Sequence, residues 1–439
     1  MIKAKFKPSR LLVLALVAFS SAWGRADDHD AVVSEIRSIL DPLVNEQMLP
    51  GYYLGVFDEN SALFEVSMGS TRESGALPPS GDVLYAIMSM TKPIVSFAVL
   101  RLIDEGRLQL DDPVAKYIPE FTSLTVVDEG DLDEVQEEID RPITIRDLLR
   151  HTSGFTYSED IVGREEVAKL YAELGIFPLD EPADGTLPAL SDHISALAQL
   201  PLVAQPGQQF IYSVSIDVLG RVLEIVERKP LDEVLREWVL EPLGMTSTYF
   251  VVPPDEEKRL AQMYRPRVAT YPIPGVYKRY QPYEVGEGRV NFGLKPDRLL
   301  SGGAGLISSA NDYAKFLQML MAGGLWQGTR LLSEEASESL FEHQLPDHLG
   351  SNALVYNFGP RTKGSGFSFG LGIQTKGTGN PQLTADHDYY VWYGAANTGF
   401  WIDRDNGLIG VFMAQHIPSQ YDMVPELVDI VRKIKLQGD

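Results

Sequence analysis

The sequence predicts an α+β fold: an antiparallel sheet flanked by helices, built from both ends of the chain around a largely helical inserted subdomain. Three observations lead there. Strand signals occur near the start and return after about Gly366, the text from Leu84 to Leu320 reads mainly as helix, and the 439 residues show neither an internal repeat nor a heptad run. The sheet part is expected over about 27–80 and 330–439, and the helical part over about 81–329.

Each element has a local reason. Val32, Ile36, Ile39, Leu43 and Val44 recur at helical spacing, which predicts a first helix over Ala31–Gln47 with Pro42 as a kink point. Tyr52–Phe57 and Ala62–Met68 read as strands around the turn Asp58-Glu59-Asn60-Ser61. Pro93–Glu105 places Ile94, Phe97, Leu100 and Ile103 on one face and stops at Gly106. Thr144–Arg150 opens with a threonine cap and Asp147 three residues on, a form of the capping box. Ser213–Arg228 and Asp312–Met321 are further helices, and Ser368–Gln374, Tyr389–Trp392, Thr398–Asp403 and Leu408–Gln415 are strands rich in aromatic and branched residues. A helix over Tyr421–Leu436 closes the chain. Val127–Asp140 reads as a solvated acidic loop, and Pro253–Tyr283, with Tyr264, Tyr271, Tyr277, Tyr280 and Tyr283, as an irregular loop or a lid over a pocket.

Composition excludes several classes of function. With no cysteine there are no disulfides, thiolate nucleophiles, cysteine zinc sites or iron–sulfur clusters. The net charge of −23 argues against nucleic acid as a partner, because phosphate binding needs clustered Lys and Arg. Lys3, Lys5, Lys7 and Arg10 precede an apolar run from Leu11 to Trp23, and Gly24-Arg25-Ala26 supplies small residues for cleavage after Ala26. Residues 1–26 are therefore expected to be a secretory signal peptide. It holds five positive charges and no acidic ones, so its removal takes the charge from −23 to −28. The expected location is periplasmic or secreted, without stable membrane insertion once the signal is removed.

Three short motifs carry chemistry. Ser89-Met90-Thr91-Lys92 stands at a helix start, where residues three apart share a face and Lys92 points toward the serine hydroxyl. A serine hydroxyl is a poor nucleophile until a neighbouring base takes its proton. A helix start also directs the serine's backbone N–H toward an oxyanion. Tyr212, between the Pro206-Gly207 turn and the following helix, can act as a phenolate or a proton relay if held near a lysine cation. In Trp392-Tyr393-Gly394-Ala395, an apolar strand reaches small residues where a ligand can approach the backbone, with the Ala395 N–H facing the serine.

Taken in this order, the motifs and their surroundings resemble the serine β-lactamase and penicillin-binding-protein superfamily, most closely its class C-like branch with the family VIII carboxylesterases. The resemblance is carried by "LYAIMSMTKPIVSFAVLRLIDEGRLQLDDPVAKYIPEF", "ITIRDLLRHTSGF", "YSVSIDVLGRVLE", "LSGGAGLISSANDYAKFLQML" and "WYGAANTGFWIDRDNGLIGVFM", and runs from about Ala31 to Ile434. It implies a β-lactamase/transpeptidase-like fold, Ser89 as acylated nucleophile, Lys92 and Tyr212 sharing the base role, and the N–H groups of Ser89 and Ala395 as oxyanion hole. It also implies a substrate site at Trp392, Tyr393, Gly394 and Val214. Two departures narrow the function. Val214 stands where class C β-lactamases have the asparagine of Tyr-x-Asn, and Trp392-Tyr393-Gly394 stands where they have Lys-Thr-Gly. Each loss removes a polar contact to a β-lactam and points to neutral small-molecule esters, because an anionic substrate would lose its charge partner. No metal or organic cofactor is implied.

Rival readings remain. Gly366-Phe367-Ser368-Phe369-Gly370, with Asp403 and His416 following, matches the Gly-x-Ser-x-Gly signature of another hydrolase fold, but that motif needs a strand-to-helix elbow. Lys376-Gly377-Thr378 is an out-of-order match to the third motif, Asp386-His387-Asp388 lacks the further ligands of a metal site, and His151 reads as structural, closing a helix. A D-Ala-D-Ala peptidase, a weak β-lactamase and a non-catalytic acyl- or peptidoglycan-binding protein are the alternatives to an esterase.

Overall fold

The computed structural model describes residues 26–72, 77–127, 136–157, 165–173, 189–266, 280–282, 294, 299–358, 362–374, 389–418 and 423–434. The leader, the middle of the acidic stretch, Tyr271, Tyr277, Tyr283, Lys376-Gly377-Thr378 and Asp386-His387-Asp388 lie outside these residues. Along the chain run α1 (Ala26–Asn45), β1 (Gly51–Phe57), β2 (Ala62–Gly69), β3 (Leu84–Ala86), α2 (Thr91–Asp104), α3 (Ile145–Leu149), α4 (Ser215–Glu227), β4 (Thr248–Tyr249), β5 (Ile307–Ser309), α5 (Ala310–Met321), β6 (Gly366–Phe367), β7 (Gly372–Gln374), β8 (Tyr389–Gly394), β9 (Thr398–Asp403), β10 (Leu408–Met413) and α6 (Val424–Val431).

The main sheet has seven antiparallel strands in the order β6-β7-β8-β9-β10-β1-β2, so the first strands pair with the last. Its central strands are buried on both faces, which explains why they read as continuous apolar runs rather than alternating ones. On one face α1 and α6 close a core of Ile36, Leu40, Leu54, Trp401, Leu427 and Val431. On the other, Phe97 of α2 meets Phe316 of α5 edge-on at 5.8 Å, beside Phe400 and Val411 of the sheet. Gly410 leaves room for the Trp401 indole directly opposite it, since a Cβ there would lie 2.1 Å from the ring. Among the described residues no helix is long and apolar enough to cross a membrane.

The structure departs from the sequence reading in several places. Ser368–Gln374 is not one strand: β6 and β7 are two short strands joined through Gly370, whose φ of +111° makes the turn. The helical insertion also contains a small sheet, β3-β5-β4, whose strands are too short to show periodicity. Within the segment expected to be irregular, Tyr264–Pro266 pairs with Tyr280–Pro282. The helix expected to begin at Ser213 starts at Ser215, capped by Val214, which leaves Tyr212 in the approach to it.

A buried carboxylate ties the insertion together. Thr144 caps α3 and forms a full capping box with Asp147. The Asp147 carboxylate, 1% exposed, also takes Arg141 at 2.6 Å and Arg150 at 3.1 Å and accepts from the Thr152 hydroxyl. Burial alone would raise its pKa, but the Arg141 hydrogen bond and Thr144 outweigh burial and hold it below the ordinary carboxylate value. Its contribution to stability is therefore present above the unfolded carboxyl's pKa of about 3.9 and is lost as pH falls through the lower folded one. Asp147→Asn should cost about 3 kcal/mol near neutral pH. Urea unfolding at pH 7 and pH 3 checks this: the gap between variant and wild type should shrink at the lower pH, and equal gaps would refute it.

Candidate active site

Ser89 sits in a single tight turn, Met88–Met90, that runs into α2. Met88 holds a φ of +48°, a conformation uncommon outside glycine and often found at functional sites. The turn is fixed from outside: Tyr313 donates to the Met90 carbonyl at 2.8 Å, Ile87 N–H to Leu306 O at 3.1 Å, and Leu306 N–H to the Thr91 hydroxyl at 3.1 Å. One turn along the helix, Lys92 is 1% exposed. Its ammonium donates to Ser89 Oγ at 3.2 Å and to Gly303 O at 2.7 Å. The expected Ser/Lys pair is therefore a direct contact.

Tyr212 reaches the site by its ring. Lys92 Nζ lies 4.7 Å from the Tyr212 ring centroid and 5.5 Å from that of Tyr157. Tyr212 Oη is buried and has no hydrogen-bond partner among the described residues. Such contacts commonly tighten only once substrate is bound. The backbone before α4 is held from two sides: Asn357 accepts from Tyr212 N–H at 3.0 Å and donates to Phe210 O at 2.9 Å, while His151 O accepts from Ile211 N–H at 2.8 Å.

His151 is more than a helix stop. Helix α3 ends at Leu149, and His151 turns back with a φ of +56°. Its fully buried ring lies 4.8 Å from that of Tyr212. Burial and the Lys92 charge push its pKa well below the ordinary histidine value, so it is neutral. Sequence reasoning missed Asn357 and the aromatic neighbours Phe358 and Phe367: the first two belong to no local motif, and Phe367 stood only in the rival Gly-x-Ser-x-Gly text.

Strand β8 brings the third motif to the serine. Trp392 packs against Tyr212, Phe358 and Phe367, with ring centroids 5.4, 5.6 and 5.2 Å away. Gly394 must be glycine: a Cβ there would lie 2.2 Å from Thr398 Oγ1 and 2.4 Å from Ile87 O, at the foot of the Ser89 turn. A cavity of about 460 Å³ opens over the serine, lined by Ser89, Tyr212, Trp392, Tyr393, Gly394 and Ala395 together with Leu354, Phe358 and Gln374. No Lys, Arg, Asp or Glu stands among the described lining residues. Val214 does not line it. It is fully buried at the cap of α4, so the structure does not bring it to the substrate space as the sequence reading expected.

The rival motif falls apart in space. Ser368 is buried, with its hydroxyl exchanging hydrogen bonds with Leu371 in the β6–β7 turn. Asp403 pairs with Arg432 and caps the turn at Asn406, and His416 Nδ1 faces the Pro418 carbonyl at 3.3 Å. None of the three bonds another, and no strand-to-helix elbow is present at Ser368.

Comparison with known proteins agrees with this geometry. The Beta-lactamase family model matches residues 36–426. Protein Rv1367c of Mycobacterium tuberculosis is 32% identical over 89% of this chain and 90% of its own length. Esterase EstB of Burkholderia gladioli is 28% identical over 87% of this chain and 90% of its own. The solved structure of EstCE1, described as a hydrolase with promiscuous acyltransferase activity, superposes with a TM-score of 0.73 at 24% identity, over 93% of this chain and 99% of that one. With a model match over most of its length and relatives named as esterases, the chain belongs to the beta-lactamase family and is a serine hydrolase of that family.

Proposed function

We propose that the protein is an exported carboxylesterase that cleaves neutral esters through an acyl-enzyme on Ser89. One observation carries the reading: the serine already hydrogen-bonded by Lys92 opens into a cavity whose described lining is mostly aromatic and aliphatic, with Thr362 and Gln374 its polar members besides the serine, and bears no charge. The relatives named as esterases support it.

In the proposed mechanism Tyr212, acting as a phenolate beside the Lys92 ammonium, takes the Ser89 proton as Oγ attacks the ester carbonyl. The N–H groups of Ser89 and Ala395, both at the cavity wall, receive the oxyanion, a stabilisation of roughly 2.7–4 kcal/mol per donor. Collapse breaks the carbonyl–alkoxy bond, and the Tyr212 proton goes to the departing alcohol. Water then attacks the acyl carbonyl as Tyr212 takes its proton, and collapse breaks the acyl–Oγ bond as Tyr212 passes that proton to Ser89 Oγ, releasing the acid and restoring the starting enzyme. A second alcohol in place of water gives transesterification. Each step moves one proton between oxygen atoms, and none calls for a metal or organic cofactor. Trp392 stands where the resemblance would put the lysine of Lys-Thr-Gly, and its indole packs against Tyr212 in the cavity wall. Peptidase and lactamase substrates, which carry a carboxylate, therefore gain no charge partner from the described lining.

Ser89→Ala should abolish hydrolysis of a nitrophenyl butyrate while Ser368→Ala leaves it within about twofold, measured as kcat/KM on folded proteins. The reverse result would restore the rival motif. On a panel, short neutral nitrophenyl esters should exceed their succinate half-ester analogue and a chromogenic cephalosporin by about tenfold or more in kcat/KM. Activity confined to the cephalosporin would refute the esterase reading, and labelling of Ser89 without turnover of any ester would favour the binding protein. Amino-terminal sequencing of the mature protein from a secreting host should begin at Asp27; a retained leader would refute export.

A further inference from the structure

The side of Lys92 away from Ser89 is built around a buried carboxylate. Lys92 Nζ donates to the Gly303 carbonyl at 2.7 Å. The N–H of the same glycine donates to Asp217 Oδ1 at 2.9 Å, and the Ser301 hydroxyl donates to that oxygen at 2.5 Å. The loop is pressed against the acid: a Cβ on Gly303 would lie 2.5 Å from Asp217 Oδ2, and one on Gly302 would lie 2.7 Å from Ile216 O. Asp217 is 1% exposed and lies in the first turn of α4, where the helix dipole favours a negative charge.

We infer that Asp217 is a positioning residue of the catalytic centre: it grips the Ser301–Gly303 loop, aims the Gly303 carbonyl at Lys92 and, as a carboxylate, supplies a counter-charge behind Lys92. The inference rests on the reading of Ser89, Lys92 and Tyr212 as the hydrolytic set. Ser301 Oγ accepts from Ala304 N–H, which leaves its own proton for Asp217, so the donors around Oδ1 favour the ionised acid. Burial is the largest influence and leaves this carboxyl above the ordinary carboxylate value, while the Lys92 charge, the Ser301 hydroxyl and the Gly303 N–H pull the other way and favour the ionised form. The groups facing Lys92 from the packed elements are Ser89 on its own turn, His151 and Tyr157 after α3, Tyr212 before α4, Asp217 on α4 and the Gly303 carbonyl before β5. Asp217 is the one carboxylate among them. A lysine cation balanced in this way donates, which leaves Tyr212 to accept the serine proton.

The test uses the whole protein and a fluorophosphonate probe that reports nucleophile activation at Ser89 without depending on the natural substrate. Asp217→Asn keeps the shape and an accepting oxygen but removes the charge. It should label Ser89 at least about tenfold more slowly at pH 7.5, since small misplacements of catalytic groups cost that much or more. Its rate should also begin to fall at a lower pH on the alkaline side. For nitrophenyl butyrate the loss should appear in kcat, with KM within about threefold. Ser301→Ala, which removes one donor and no charge, should lose less and keep the wild-type pH profile. A merely structural Asp217 would lower the yield of folded protein and leave rate per labelled site and pH profile unchanged, and that result overturns the inference. If wild type labels at Ser89 yet hydrolyses no ester, the esterase reading fails while a slow, pH-shifted Asp217→Asn still upholds the positioning role. If neither protein labels, both fail.

Discussion

The site depends on one close approach. Strand β8 ends at Gly394, whose Cα passes so near Ile87 O that no side chain fits between them. That contact joins the main sheet to the turn holding Ser89, two parts of the chain 300 residues apart. It places the end of β8 beside Ser89, and therefore also Ala395 and Trp392. A methyl group at Gly394 would have to push the strand away from the serine. The helical insertion provides the other half: β3 pairs with β5, Ile87 N–H reaches Leu306, and the turn is clamped between two sheets rather than hung on a loop.

Around the turn, aromatic packing and a few charges divide the work. Tyr212, Trp392, Phe358 and Phe367 interlock at ring separations of about 5–6 Å, which stiffens the cavity wall without adding charge. The charges are kept behind this wall. Lys92 touches two ring faces and a backbone carbonyl, and Asp147 with Arg141 and Arg150 lies further back, where it shapes the His151–Gly154 turn. Fixing polar groups before the substrate arrives is what allows a low-dielectric site to stabilise an oxyanion.

Much of this was legible in the sequence wherever the cause is local. The helices with a stripe of apolar residues, the threonine cap with Asp147, the strands on either side of the turn after Asp403 and the Ser89/Lys92 pairing all follow from residues a few positions apart. Errors arose where the cause is distant. Val214 occupies a motif position yet is buried, because the start of α4 turns its side chain into the core. His151 looked like a helix stop, and its contact with Tyr212 across 61 residues appears only on folding. The small sheet β3-β5-β4 and the anchors Asn357 and Asp217 leave no periodic trace.

By itself the sequence determined the fold class, the order of the three chemical motifs and the lack of thiol chemistry, since these depend on residue identity and short spacing. The tertiary structure decided which of those residues meet. It set Gly303 against both Lys92 and Asp217, brought Asn357 to the Tyr212 backbone, separated Ser368 from Asp403 and His416, and closed over Ser89 a cavity whose described lining bears no charge. The physical reason is that such contacts are made by close packing between segments far apart in the chain, 86 residues for Gly303 and Asp217 and 211 for Gly303 and Lys92, and short-range pattern carries no record of them.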